Sequence, residues 1–266
     1  MEERILAKGI CINIWRGGSG EPLFVITGWN GSFPENEDML VALSSSFDVY
    51  GIELPGTGQS DAPPKDWSFN DFIPLVGAIF DHYGVERGIV LGHSFGWVTA
   101  LKFARYFPRH VSYLIISNGP ILSPKKFWGA GVIFSLGFLF CIVLIALPCW
   151  LLSKIVPFKK CIPGLVERFG RQYPYLTRSR GVMRKILRIV IEDDTLEDAK
   201  NVNVPALIIG SGKGGFFVPL SNCFTLHKAL KGSNLVVIPG APHDFTGVWA
   251  QKFSEIVGDW VISKKL

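Results

Sequence analysis

Short apolar runs alternate with segments of helical period along most of the chain, a pattern that predicts a largely parallel sheet wrapped by helices. "GICINIWRG" (residues 9–17) alternates apolar and polar positions, as a half-buried strand does, and turns through "GGSGEP". "LFVIT" (23–27) is continuously apolar, the mark of a central strand covered on both faces. "FDVYGIE" (47–53), "RGIVLGH" (87–93) and "VSYLIIS" (111–117) read as further strands. "WSFNDFIPLVGAIFDHYG" (67–84) and "SFGWVTALKFARYF" (94–107) read as helices. The alternation resumes late in the chain. "VPALIIG" (204–210) and "NLVVIPG" (234–240) are predicted strands; "PLSNCFTLHKALKG" (219–232) and "VWAQKFSEIVGDWVIS" (248–263) are predicted helices.

Residues 121–202 break this rhythm and read as a helical insertion, so residues 1–120 and 203–266 form the expected core domain. Within the insertion, residues 127–153 carry no charge across "FWGAGVIFSLGFLFCIVLIALPCWLLS". A single span through a membrane conflicts with strands of one sheet on either side of it. Two spans need about 40 apolar residues. Lysines flank both ends (Lys125, Lys126, Lys154), so no orientation is favoured. A buried cap helix pair, a patch dipping into one leaflet and a true span remain open, and the first two offer an apolar surface to a substrate.

Composition narrows the class. The chain of 266 residues is 48% hydrophobic and 18% charged, which excludes a disordered chain. Its net charge of +5 gathers between Lys154 and Arg188, which suits an anionic membrane surface and comes with no nucleic-acid-binding module. Five cysteines at irregular spacing (Cys11, Cys141, Cys149, Cys161, Cys223) support neither a zinc site nor a disulfide framework. The start, "MEERILAKGI", lacks the cationic and apolar regions of a signal peptide, so a reducing cytoplasmic setting is expected, with membrane association through the apolar run.

The chemistry centres on "GHSFG" (92–96), where a predicted strand becomes a predicted helix. A serine on so sharp a turn needs glycine two residues to either side, and its hydroxyl then stands clear of the sheet. The helix that follows aims its amides at the place where negative charge develops. A base must take the hydroxyl proton, and His243, just past the last predicted strand, lies at the same C-terminal sheet edge as Ser94. His82 and His227 read as helix-face residues, His110 as a turn residue and His93 as a neighbour of the serine turn. The backbone amides of Phe95 and of Trp29, in the "ITGWNGS" loop, are candidates for an oxyanion hole.

Together these segments resemble the α/β-hydrolase family, of the type with a cap inserted after the sixth strand. "TGWNGS" is similar to its oxyanion loop, with Thr27 where histidine is usual. "YGIELPGTGQSDAP" resembles its D-x-P-G-x-G-x-S loop, with Glu53 at the aspartate. "GHSFG" resembles its nucleophile elbow, and "VPALIIG" with "VVIPGAPHDF" resembles its last strands and histidine loop. The resemblance implies a serine hydrolase without a cofactor or metal, whose cap shapes the pocket. An esterase acting on a hydrophobic acyl or lipid-like small molecule is the leading expectation; amide, thioester or C–C cleavage and a non-catalytic, membrane-docked binding protein are the alternatives.

One position departs from the pattern. Where the family places its orienting aspartate, "GSGKGGFFVP" offers Gly214 or Gly215. Asn118, after the sixth core strand, is the weak candidate for a third member, and a carboxylate of "EDD" (192–194) the other. The same loop formally satisfies G-x-G-x-x-G, yet no acid follows between Phe216 and His243, so a dinucleotide site is not expected.

Overall fold

The computed structural model describes residues 1–28, 32–121, 194–214 and 218–266. Its centre is an eight-stranded sheet in the order β1-β2-β4-β3-β5-β6-β7-β8. β1 (Glu2–Ala7), β2 (Ile10–Gly17) and β4 (Phe47–Ile52) pair antiparallel in sequence along one side. β3 (Glu21–Ile26), β4, β5 (Gly88–His93), β6 (Val111–Ser117), β7 (Ala206–Ser211) and β8 (Asn234–Ile238) run parallel. The expected α/β class with a mostly parallel sheet is therefore observed.

β3 shows why the sheet forms. Leu23, Phe24, Val25 and Ile26 are all wholly buried, as a strand covered on both faces requires. Leu23 and Val25 join a core with Met39, Leu40 and Leu43 of α1 (Phe33–Leu43) and Phe253 and Val257 of α6 (Val248–Ser263). Phe24 points the other way and stacks on Phe80 of α2 (Phe72–His82), ring centres 3.7 Å apart. Alternation along one strand thus glues a helical layer to each face.

α3 (Gly96–Tyr106) is buried from Gly96 through Ala104 and packs on β5, β6 and α2. Trp97 is fully buried and lies against Gly119, filling the gap beside β6. α4 (Thr195–Lys200) also packs on α3, where Asp198 pairs with Lys102 (2.7 Å) and Arg105. Residues 194–202, assigned to the insertion from sequence, consequently pack with Met1–Ile121 in one compact unit. Residues 122–193 of the insertion, including the apolar run 127–153, lie outside the described residues. Among the described residues no helix is long and apolar enough to cross a membrane.

Two elements escaped the pattern reading. β1 begins with three exposed charged residues and buries only Ile5 and Ala7, the half-alternation of an edge strand. α1 opens with Pro34 in its first turn and three acids before its apolar face begins, so its period emerges only from Met39 onward. α5 (Ser221–Ala229) completes the described helices near β7 and β8.

Glu53, at the end of β4, ties the loops at this edge together. Its carboxylate accepts hydrogen bonds from the Phe33 amide (2.9 Å), the Asn13 side chain (3.1 Å) and the Gln59 amide. Burial pushes its carboxyl above the ordinary range, and these three donors pull it back. Gly58, in the left-handed region, leaves no room for a Cβ because one there would overlap that carboxylate. Glu53→Gln turns an amide group toward one of these donors, so urea denaturation is expected to show a loss of about 1–3 kcal/mol.

Candidate active site

β5 delivers Ser94 to the C-terminal edge of the sheet. The serine sits at φ +53, a left-handed conformation that a side chain adopts only under constraint. The constraint is packing. A Cβ at Gly92 would strike the backbone of Trp97, and one at Gly96 would strike the carbonyl of Ile26. The two glycines therefore let α3 start directly over β3 and β5, with Ser94 at the apex. Its own amide donates to the Ser117 carbonyl of β6 (2.9 Å). Gly28, after β3, comes so near that a Cβ there would stand 2.7 Å from Ser94 Cβ.

His243 arrives from the loop after β8, three strand spacings away, or about 14 Å across the sheet. The loop is brought back by Asn118. Its amide nitrogen donates to the His243 carbonyl (2.8 Å), and its oxygen accepts from the Ser211 amide (2.8 Å). The imidazole Nε2 then lies 3.0 Å from Ser94 Oγ, within hydrogen-bond reach. The structure thus brings together the two side chains that sequence singled out, although they are 149 positions apart.

Asn118 corrects the expectation placed on it. Both ends of its amide are spent on backbone groups, so it positions the main chain of His243 and does not orient the ring. Its left-handed φ of +47, which asparagine tolerates, turns the side chain between β6 and β7. Nδ1 of His243 is buried and has no hydrogen-bond partner among the described residues. Nor do the described acids of the insertion's exit serve it. Asp194 caps α4 by accepting from the Leu196 and Glu197 amides, Glu197 pairs with Lys200, and Asp198 pairs with α3.

The titratable groups nearest the ring come from residues that sequence left in minor roles. His93 is buried at the end of β5, with its Nδ1 2.9 Å from Ser117 Oγ. Its ring centre stands 5.3 Å from that of His243. Asp244 places Oδ1 3.8 Å from Nε2 of both histidines. Burial pushes the His243 imidazole down to about 4, helped by His93 and opposed by Asp244. His93 was legible only as the residue before the serine, and Asp244 only as the residue after the histidine. Neither spacing announces that the two face each other. These three residues are also the group that could hold a metal ion among the described residues.

Of the two oxyanion candidates, Phe95 lies immediately before α3, buried, its ring edge-on to Phe69. Trp29 lies outside the described residues. His82, His110 and His227 stand apart from this cluster; His227 pairs with Ser233 (2.8 Å).

A strand, a left-handed serine, a buried helix and a histidine loop at one sheet edge define a protein built for a nucleophile elbow. The chain has the α/β-hydrolase fold: a model of the alpha/beta hydrolase fold matches residues 21–138. The chain is 32% identical over 99 residues to a soluble epoxide hydrolase of Corynebacterium sp., covering 37% of this chain and 35% of that one, about a third of that relative's length. It is 25% identical over 220 residues to a putative carbamate hydrolase of Cronobacter turicensis, covering 81% of each. Among solved structures, a hydrolase from Pseudomonas aeruginosa superposes with a TM-score of 0.76 at 18% identity, over 98% of each chain.

The geometry at Asn118 distinguishes its two roles. If its amide faced the ring, Asn118→Asp would supply a carboxylate that Nδ1 lacks among the described residues and speed the reaction of Ser94 with a fluorophosphonate probe. With the amide bound to the His243 carbonyl, the carboxylate repels that oxygen instead. Labelling slower than wild type is expected, with about 1–3 kcal/mol of stability lost in thermal unfolding.

Proposed function

We propose that the protein is a serine hydrolase of carboxylic esters with a hydrophobic acyl or lipid-like group. The observation that carries this reading is the 3.0 Å contact between Ser94 Oγ, on its left-handed turn, and His243 Nε2. As Oγ attacks the ester carbonyl, its proton passes to Nε2. The amides of Phe95 and Trp29 hold the oxyanion. The imidazolium then gives its proton to the leaving alcohol, and water, deprotonated in the same way, releases the acyl group and regenerates the serine.

The environment of the imidazole sets the expected pace. Neutral His243 is available as a base over the whole physiological range, because it is held down near 4. The same burial makes the imidazolium costly, and no carboxylate meets Nδ1 among the described residues. Loss of the orienting acid costs about 10⁴ in turnover where that acid is integral. Slow turnover follows from this reading. The lack of a partner for Nδ1 among the described residues also supports a second reading, a non-catalytic binding protein on the same fold. The putative carbamate hydrolase among the relatives makes carbamates the first substrates to try beside esters.

The uncharged run 127–153 and the basic residues after it favour an apolar substrate met at an anionic membrane surface, on the cytoplasmic side. No cofactor enters this chemistry.

A fluorophosphonate probe is expected to label wild-type protein and not Ser94→Ala, and p-nitrophenyl ester turnover is expected to vanish in the same variant. Liposome or acyl-ligand binding without Ser94-dependent turnover would instead establish the binding reading. The pH profile offers a separate check. Since the base must be neutral, kcat/KM is expected to stay level from pH 8 to 5 and to fall only as pH drops through about 4. Asp244→Asn, which removes the charge favouring the imidazolium, shifts that limb to still lower pH.

A further inference from the structure

We propose that His93, His243 and Asp244 form a binding site for a divalent metal ion of the zinc class, and that an ion there disables Ser94. Each residue offers one ligand atom, and the three lie within 4.8 Å of one another. Asp244 Oδ1 is 3.8 Å from Nε2 of His93 and 3.8 Å from Nε2 of His243. Zinc binds imidazole nitrogen and carboxylate oxygen at about 2.0–2.2 Å in tetrahedral geometry, so two ligand atoms on one ion stand about 3.3–3.6 Å apart. A turn of the exposed Asp244 side chain and an approach of the two rings by about an ångström therefore close the set. Two histidines and one carboxylate, with a position left for water, are a common zinc ligand set.

The surroundings suit this use. Nδ1 of His93 bonds the Ser117 hydroxyl, which leaves Nε2 as the nitrogen turned toward the site, the outer-shell arrangement that metal-bound histidines show. Nε2 of His243 is the atom that faces Ser94 Oγ. It has one lone pair. An ion that takes it leaves the Ser94 proton without an acceptor, so metal and nucleophile compete for a single nitrogen. Cysteine spacing offered no zinc pattern; this set is assembled across β5 and the loop after β8. The competition rests on the hydrolase reading, whereas the binding itself does not.

Chelator-treated full-length protein titrated with Co²⁺ is expected to develop the visible bands of a low-symmetry cobalt site at one equivalent. Affinity is expected to fall at least about tenfold in Asp244→Asn, with an unchanged thermal midpoint. Ser94→Ala is expected to bind as wild type does. Zn²⁺ is then expected to slow fluorophosphonate labelling of wild type, reversed by EDTA, and to have little effect on Asp244→Asn. Absence of saturable Co²⁺ binding, or equal affinity in wild type and Asp244→Asn, would overturn the site. Co²⁺ binding accompanied by undiminished labelling would overturn the competition. If the protein shows no labelling under any condition, the hydrolase reading fails while the cobalt titration still decides the site.

Discussion

The left-handed turn at Ser94 is the constraint around which the rest of this structure is arranged. A serine at φ +53 persists only where its neighbours over-determine it. Here β5 on one side and α3, buried from Gly96 through Ala104, on the other leave the chain no alternative path. Gly92 and Gly96 are what allow that helix to sit so low on the sheet. The burial of α3 does more than stabilise a core, since it keeps the hydroxyl raised over the sheet edge. Lys102 and Arg105, held by Asp198, extend the same anchorage to α4.

Around this fixed hydroxyl the electrostatics are unusual. An imidazole that is largely desolvated, without a partner at Nδ1 among the described residues and beside a second imidazole, is readily neutral and reluctantly charged. In the proposed reaction, proton transfer from serine is therefore an uphill step that the local field helps little. Among the described residues Asp244 is the negative group placed to ease it, and it does so from the Nε2 side, 3.8 Å away. The same disposition, two imidazole nitrogens and a carboxylate turned inward, is what a cation would find congenial. Weak support for an imidazolium and ready acceptance of a metal thus have a common cause.

Much of the architecture was legible because both periodicities are strong. Continuous apolar runs marked β3 and β7, and the helical pattern at 248–263 coincides with α6. β1 was hidden because an edge strand buries only alternate residues near its end, and α1 because its first turns are acidic. Ser94 and His243 were legible from their places after strands of one parallel sheet, whose C-terminal edges coincide by construction. The task of Asn118 was not legible. A side-chain amide bonds a carbonyl as readily as a ring nitrogen, and only the backbone turn at residue 118 decides between them. His93 and Asp244 were opaque for a similar reason, since their approach depends on how far the loop after β8 folds back across β7 and β6.

Ser117 and Asn118 form a small bracket at the end of β6. One carbonyl there receives the serine's amide, and the next side chain grips the histidine's main chain. The reach between Ser94 Oγ and His243 Nε2 is accordingly gauged by a dipeptide that lies between them in sequence. Whatever shifts this bracket, even a residue that touches neither side chain, therefore changes the separation on which the proposed proton transfer depends.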